Sequence, residues 1–157
     1  MKKMIYFSTF IGLTVITGAI SGFSFKDASE KKVNIISGQQ TFVSSDLEKS
    51  AQLFANKKEA KAWESFTIVP QEEGKIAIKA SNNKFVTLDR EGKLYAKALY
   101  PVDAEIFELV QTSDGRVAIK AFNGKFISID VNKNYQLNAN STSISNNESF
   151  KLQELPE

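Results

Sequence analysis

The two residue types that carry most nucleophilic, relay and zinc chemistry are missing from this chain: it has no cysteine and no histidine. Disulfides, Cys/His zinc sites, cysteine nucleophiles and Ser-His-Asp or Cys-His relays are therefore excluded. Carboxylates, lysines and tyrosines remain. Two sets of carboxylates recur at fixed spacing: Glu64, Glu105 and Glu148 each open a Glu-x-Phe triplet, and Asp46, Asp89 and Asp130 each end a Phe-x-[Ser/Thr]-x-Asp segment. A carboxylate pair acting as acid and base needs a separation of about 5–10 Å. Equivalent glutamates of a repeating scaffold approach that closely only near its axis, where apolar side chains must go. The glutamates read instead as acceptors for backbone N–H groups, one per repeat. Aspartate before a turn bonds nearby N–H groups too, yet beside an aromatic ring it is also suited to contact a sugar. Tyrosine joins an apolar face to a hydroxyl, which suits stacking on sugar rings. Tyr95, Tyr135, Asp89, Asp130 and Asn123 are accordingly the candidate ligand-binding residues. No catalytic residue, metal ligand or cofactor is expected, and the chain reads as a non-enzyme.

The elements that must hold these residues come from one motif written three times. GKIAIKASNNKFVTLD begins at Gly74 and GRVAIKAFNGKFISID at Gly115, an offset of 41 residues without a gap. A fainter copy, KVNIISGQQTFVSSD, begins at Lys32, offset by 43 from the second. Each copy continues into Leu-x-Ala (Leu53, Leu94, Leu137) and closes on Glu-x-Phe, with 11 residues from that alanine to that phenylalanine in all three. Within a copy the apolar period is two, as in Ile76-x-Ile78, Val117-x-Ile119 and Phe107-x-Leu109, the pattern of half-buried strands. Turn signals such as Asn123-Gly124 separate the runs, and Asn-Gly between apolar alternations is a strong hairpin signal because it tolerates positive φ. The only helical candidate is Glu59–Trp63, one turn at most.

Four short strands per copy predict about twelve in all. Three four-stranded units close into a six-stranded barrel capped by three hairpins, which also removes exposed sheet edges. The expected fold is all-β, a β-trefoil over residues 32–155. Its core is expected to hold Val33, Ile35, Phe42, Leu53 and Phe66 with their counterparts Ile76, Ile78, Phe85, Leu94 and Phe107, and Val117, Ile119, Phe126, Leu137 and Phe150. Trp63, Tyr100, Phe122 and Tyr135 have no aromatic counterpart in the other copies, and Phe54 and Tyr95 match each other but meet Asn138 in copy three; such departures mark where a symmetric scaffold is specialised.

Residues 1–24 read as a signal peptide or an uncleaved anchor: Lys2 and Lys3, an apolar run from Met4 to Ile20, then small residues. Residues 25–31 read as a linker. The 20 basic residues less Lys2 and Lys3 leave 18 against 18 acidic residues, so the folded part is formally neutral and lacks the footprint of a nucleic-acid binder. Membrane contact is expected only through residues 1–24, and the expected location is secreted or at the surface of a bacterial cell.

The string G-[KR]-[IV]-A-I-K-A-x-N-x-K-F-[VI]-[ST]-x-D, followed by L-x-A and E-x-F, resembles the repeat of the fascin-like β-trefoils of the actin-crosslinking superfamily. The first functional expectation is an exported, monomeric binding module for a cell-wall or surface glycan. The alternative, implied by the resemblance, is a fascin-type module that binds protein, including actin-like filaments.

Overall fold

The computed structural model describes residues 29–157; the segment read as a signal or anchor lies outside them. Twelve strands follow in three sets of four. The first copy holds β1 (Lys31–Ser37), β2 (Phe42–Asp46), β3 (Gln52–Lys57) and β4 (Ser65–Pro70). The second holds β5 (Ile76–Ala80), β6 (Phe85–Leu88), β7 (Leu94–Ala98) and β8 (Glu108–Gln111). The third holds β9 (Val117–Lys120), β10 (Phe126–Asp130), β11 (Gln136–Ser141) and β12 (Phe150–Glu154). The helical candidate in copy one is a single 3-10 turn, Ala62–Glu64, repeated at Asp103–Glu105 and Asn146–Glu148.

The first and last strands of each copy make the barrel. Within a copy, the first strand faces the last through one equivalent pair: Val33 with Phe66, Ile76 with Phe107, Val117 with Phe150. Between copies, β4 joins β5 with Ile68 opposite Ile78, β8 joins β9 with Leu109 opposite Ile119, and β12 joins β1 with Leu152 opposite Ile35. These six antiparallel pairings close the ring in the trefoil order. The inward side chains form one continuous core, with Phe66, Phe107 and Phe150 fully buried at its centre.

The hairpins β2–β3, β6–β7 and β10–β11 cap the barrel and are tied to one another by main-chain bonds. The N–H of each Leu-x-Ala alanine donates to the turn of another copy's hairpin. Ala55 N bonds Tyr135 O at 2.8 Å, Ala96 N bonds Ala51 O at 2.8 Å, and Ala139 N bonds Gly92 O at 2.7 Å. The accepting residues all have left-handed backbone, φ 59° at Ala51, 85° at Gly92 and 61° at Tyr135. At Gly92 a β-carbon would also lie 3.0 Å from the Ala139 carbonyl oxygen. The alanines are buried and small because the hairpins meet there.

Twelve of the fifteen expected core side chains are buried, and three are not. Phe42, Phe85 and Phe126 are only half-buried, and Val43, Val86 and Ile127 take the inward places. Neighbours along a strand face opposite ways, so with Val43, Val86 and Ile127 inward the phenylalanine before each of them faces outward. Beside each pair the hairpin carries a β-bulge whose extra residue lies in the partner strand, β3, β7 or β11. Phe85 instead lies under Lys79, whose Nζ is 5.9 Å from the ring centroid.

Burial orders the phenylalanines by energy. Phe107→Ala is expected to lower unfolding free energy by about 3–5 kcal/mol, and Phe85→Ala by less than half of that, in chemical denaturation. Equal penalties would return Phe85 to the core.

Candidate functional site

The repeated carboxylates are structural in their geometry. Oε2 of Glu64 accepts from Lys61 N at 2.8 Å, Glu105 from Val102 N at 3.0 Å, and Glu148 from Ser145 N at 2.9 Å. Each closes its own 3-10 turn, and all three are buried. Burial pushes the Glu148 carboxyl up. The hydroxyls of Ser128 and Ser145 and the Ser145 N–H push it down by more, so it ionises below its ordinary 4.5. Ser128 Oγ stands 2.6 Å from Oε1.

The five sequence-predicted ligand residues fall into two groups. Asp89, Asp130 and Asn123 spend polar atoms on their own turns. Asp89 Oδ1 accepts from Glu91 N and Lys93 N, both at 2.9 Å, and Asp130 Oδ1 from Asn132 N at 3.1 Å. Asn123 accepts from Lys125 N at 3.0 Å and donates to Ala139 O at 3.1 Å. Asn82 repeats both contacts in copy two, with Ala96 O at 2.9 Å. Thr41 serves copy one, its hydroxyl 2.6 Å from Ala55 O. Tyr95 and Tyr135 lie on the hairpin cap, both against copy one. Tyr95 is opposite Gln52 and carries Lys97 Nζ 4.6 Å from its ring centroid. Tyr135 lends its carbonyl to Ala55, and its side chain is 36% exposed. The structure thus sets the two tyrosines around β3 but does not gather all five residues in one concavity.

Concavities lie along the loops that close each copy and where such a loop meets the next copy. Among the described residues these loops differ most between copies: Lys57–Glu64 is basic with one tryptophan, Ala98–Glu105 is apolar, and Ser141–Glu148 is rich in serine and asparagine. At the junction of copies three and one the gap is filled. Gln39 Nε2 donates to Asn147 Oδ1 at 3.0 Å, and a β-carbon on Gly38 would lie 2.1 Å from Asn146 O. The residue in Gly38's place in copy three is Phe122, and there the junction with copy two stays open.

That open cleft holds about 540 Å³ and is lined by Lys75, Asp103, Ile106, Phe107, Glu108, Lys120, Ala121, Phe122 and Gly124. Phe122 is 58% exposed and Tyr100, on the loop running into Asp103, is 74% exposed, with Leu99 and Val102 beside it in sequence and exposed too. The cleft therefore offers an aromatic ring, two carboxylates and two ammonium groups in one place. The sequence marked Tyr100 and Phe122 as departures from symmetry, but Asp103, Glu108, Lys75 and Lys120 come from both copies and meet only through the β8–β9 pairing.

Closed barrel, three caps and a specialised junction define a β-trefoil. Solved structures share that fold. The designed threefold-symmetric protein ThreeFoil superposes with TM-score 0.71 at 13% identity, covering 79% of this chain and 99% of that one. The Polyporus squamosus lectin, solved with the human-type influenza-binding epitope Neu5Aca2-6Galb1-4GlcNAc, gives 0.71 at 13%, covering 83% and 51%. An exo-beta-1,3-galactanase from Clostridium thermocellum gives 0.71 at 12%, covering 84% and 32%. This chain thus spans about half of that lectin and a third of that galactanase. No curated protein sequence matches it. Residues 28–154 match the model of the family described as Domain of unknown function (DUF7910), and the chain belongs to that family. The fascin-like resemblance is narrower than these findings, which show the trefoil fold.

Two stability outcomes follow. Asn123→Ala removes both turn contacts and should cost about 1–3 kcal/mol, read as a lower denaturant midpoint. Glu148 has a depressed folded-state pKa, so its contribution is present above its unfolded value of 4.5 and is lost as pH falls through the folded value. Glu148→Gln should therefore be less stable than wild type at neutral pH, with the gap narrowing below about pH 4.5. Denaturation midpoints measured across that range check the sign.

Proposed function

We propose that this chain is a non-enzymatic module that binds carbohydrate in the cleft between its second and third copies. The observation that carries the reading is the exposed Phe122 ring set among Asp103, Glu108, Lys75 and Lys120. A pyranose has an apolar C–H face and a rim of hydroxyls. The face suits an aromatic ring, and the hydroxyls suit carboxylate acceptors and ammonium donors. Phe107 and Ile106 give the floor of the cleft apolar character. The lectin solved with a sialylated epitope and the exo-beta-1,3-galactanase, both structurally similar to this chain, support the reading. Residues 1–24 fit an exported or surface-held protein, where such glycans lie.

Retention on insoluble cell-wall polysaccharides and a glycan array test the proposal. The folded protein should bind at least one neutral glycan. Phe122→Ala should weaken that binding roughly tenfold, which is about 1.4 kcal/mol, with an unchanged unfolding midpoint. Tyr95→Ala combined with Tyr135→Ala separates the cleft from the hairpin cap: full loss there with Phe122→Ala silent moves the site to the cap.

A further inference from the structure

We propose that the loop closing copy one forms a second binding site, selective for the anionic group of an acidic sugar, a carboxylate or a sulfate. A concavity of about 580 Å³ lies along this loop, lined by Lys57, Lys58, Lys61 and Trp63 together with Glu59, Ala62 and Glu64. Glu64 does not face a ligand as a free charge: its Oε2 is held by Lys61 N at 2.8 Å, and the residue is buried. That leaves three ammonium groups against the carboxylate of Glu59. No ion pair among the described residues involves Lys57, Lys58 or Lys61, whereas Lys79, Lys93 and Lys133 each have a carboxylate partner.

The second element is Trp63. Its counterparts are Ala104 and Asn147, so the repeat does not require an aromatic there. It is half-buried and lines the concavity. A partly open indole beside three cations fits a ring with an apolar face and a negative substituent, because stacking and ion pairing then act on one ligand. An acidic polysaccharide presents that combination in every repeat unit. Nucleic acid also combines rings with anions, but the folded part is formally neutral and lacks the extended positive surface that a phosphate backbone requires. The site differs from the cleft between copies two and three in charge and in place, and it does not depend on that cleft binding anything.

Trp63 is the only tryptophan in the chain, so its fluorescence reports this site alone. The probes are polygalacturonate for the carboxylate, dextran sulfate for the sulfate and unmodified dextran for the neutral backbone. Titration with at least one polyanion should shift or quench the emission saturably, less so at high salt, and dextran should leave it unchanged. The polyanion that acts identifies the group. Replacing Lys57, Lys58 and Lys61 together by glutamine should weaken the response at least tenfold, and replacing them by arginine should keep it. Changing Lys125, Lys133 and Lys151 to glutamine removes equal charge elsewhere and should have no effect. Phe122→Ala should also leave the response intact, which separates this site from the neutral-glycan cleft. Silence with both polyanions, an equal response to dextran, or an undiminished response in the Lys57/Lys58/Lys61 glutamine variant overturns the proposal.

Discussion

The main chain of one alanine per copy holds the cap of this protein together. Ala55, Ala96 and Ala139 each give their N–H to the hairpin turn of another copy and receive at their C=O a side chain from their own first turn. Buried peptide groups must be paired, and here each pairing crosses a boundary between repeats or between elements of one repeat. The demand propagates outward. The accepting turn must be left-handed, so the hairpin needs a glycine or tolerates strain at Ala51 and Tyr135. The donor must be an Asn at the first turn, or a Thr two places on. The leucine two residues earlier then falls inward, and the barrel core is set.

Much of this is legible in the sequence because the repeat states it three times. Alternation at Ile76 and Ile78, or at Val117 and Ile119, fixes which face is buried, and Glu64, Glu105 and Glu148 read as backbone acceptors from their spacing alone. The outward facing of Phe42, Phe85 and Phe126 is not legible, since a phenylalanine followed by a β-branched residue fits either face. Burial alone distinguishes the two facings, and burial is a property of the assembled hairpin.

The site is less legible than the fold for the same reason. Asn123 and Asp89 look available in the sequence because their partners are main-chain atoms, which carry no residue identity. Phe122 stands out as an aromatic where copy one has Gly38, but its neighbours Asp103 and Glu108 belong to another copy. A symmetric scaffold thus conserves its main-chain contacts and varies the side chains at its junctions. One junction is filled by Gly38 and Asn146, one is a cleft with charged side chains around an exposed phenylalanine, and the loop leading to the remaining one carries three lysines and a tryptophan.

The sealed junction joins the first and last strands of the trefoil. β1 pairs with β12, so Ile35 waits for Leu152 before its outer edge is covered. A ribosome releases β1 first and β12 last, and during all the time between them a strand of Val33, Ile35 and Ile36 has a vacant edge. Such an edge is a template for pairing with another chain, and a closure spanning the whole trefoil is slow. The unclosed trefoil is therefore most exposed to aggregation until β12 covers the outer edge of β1.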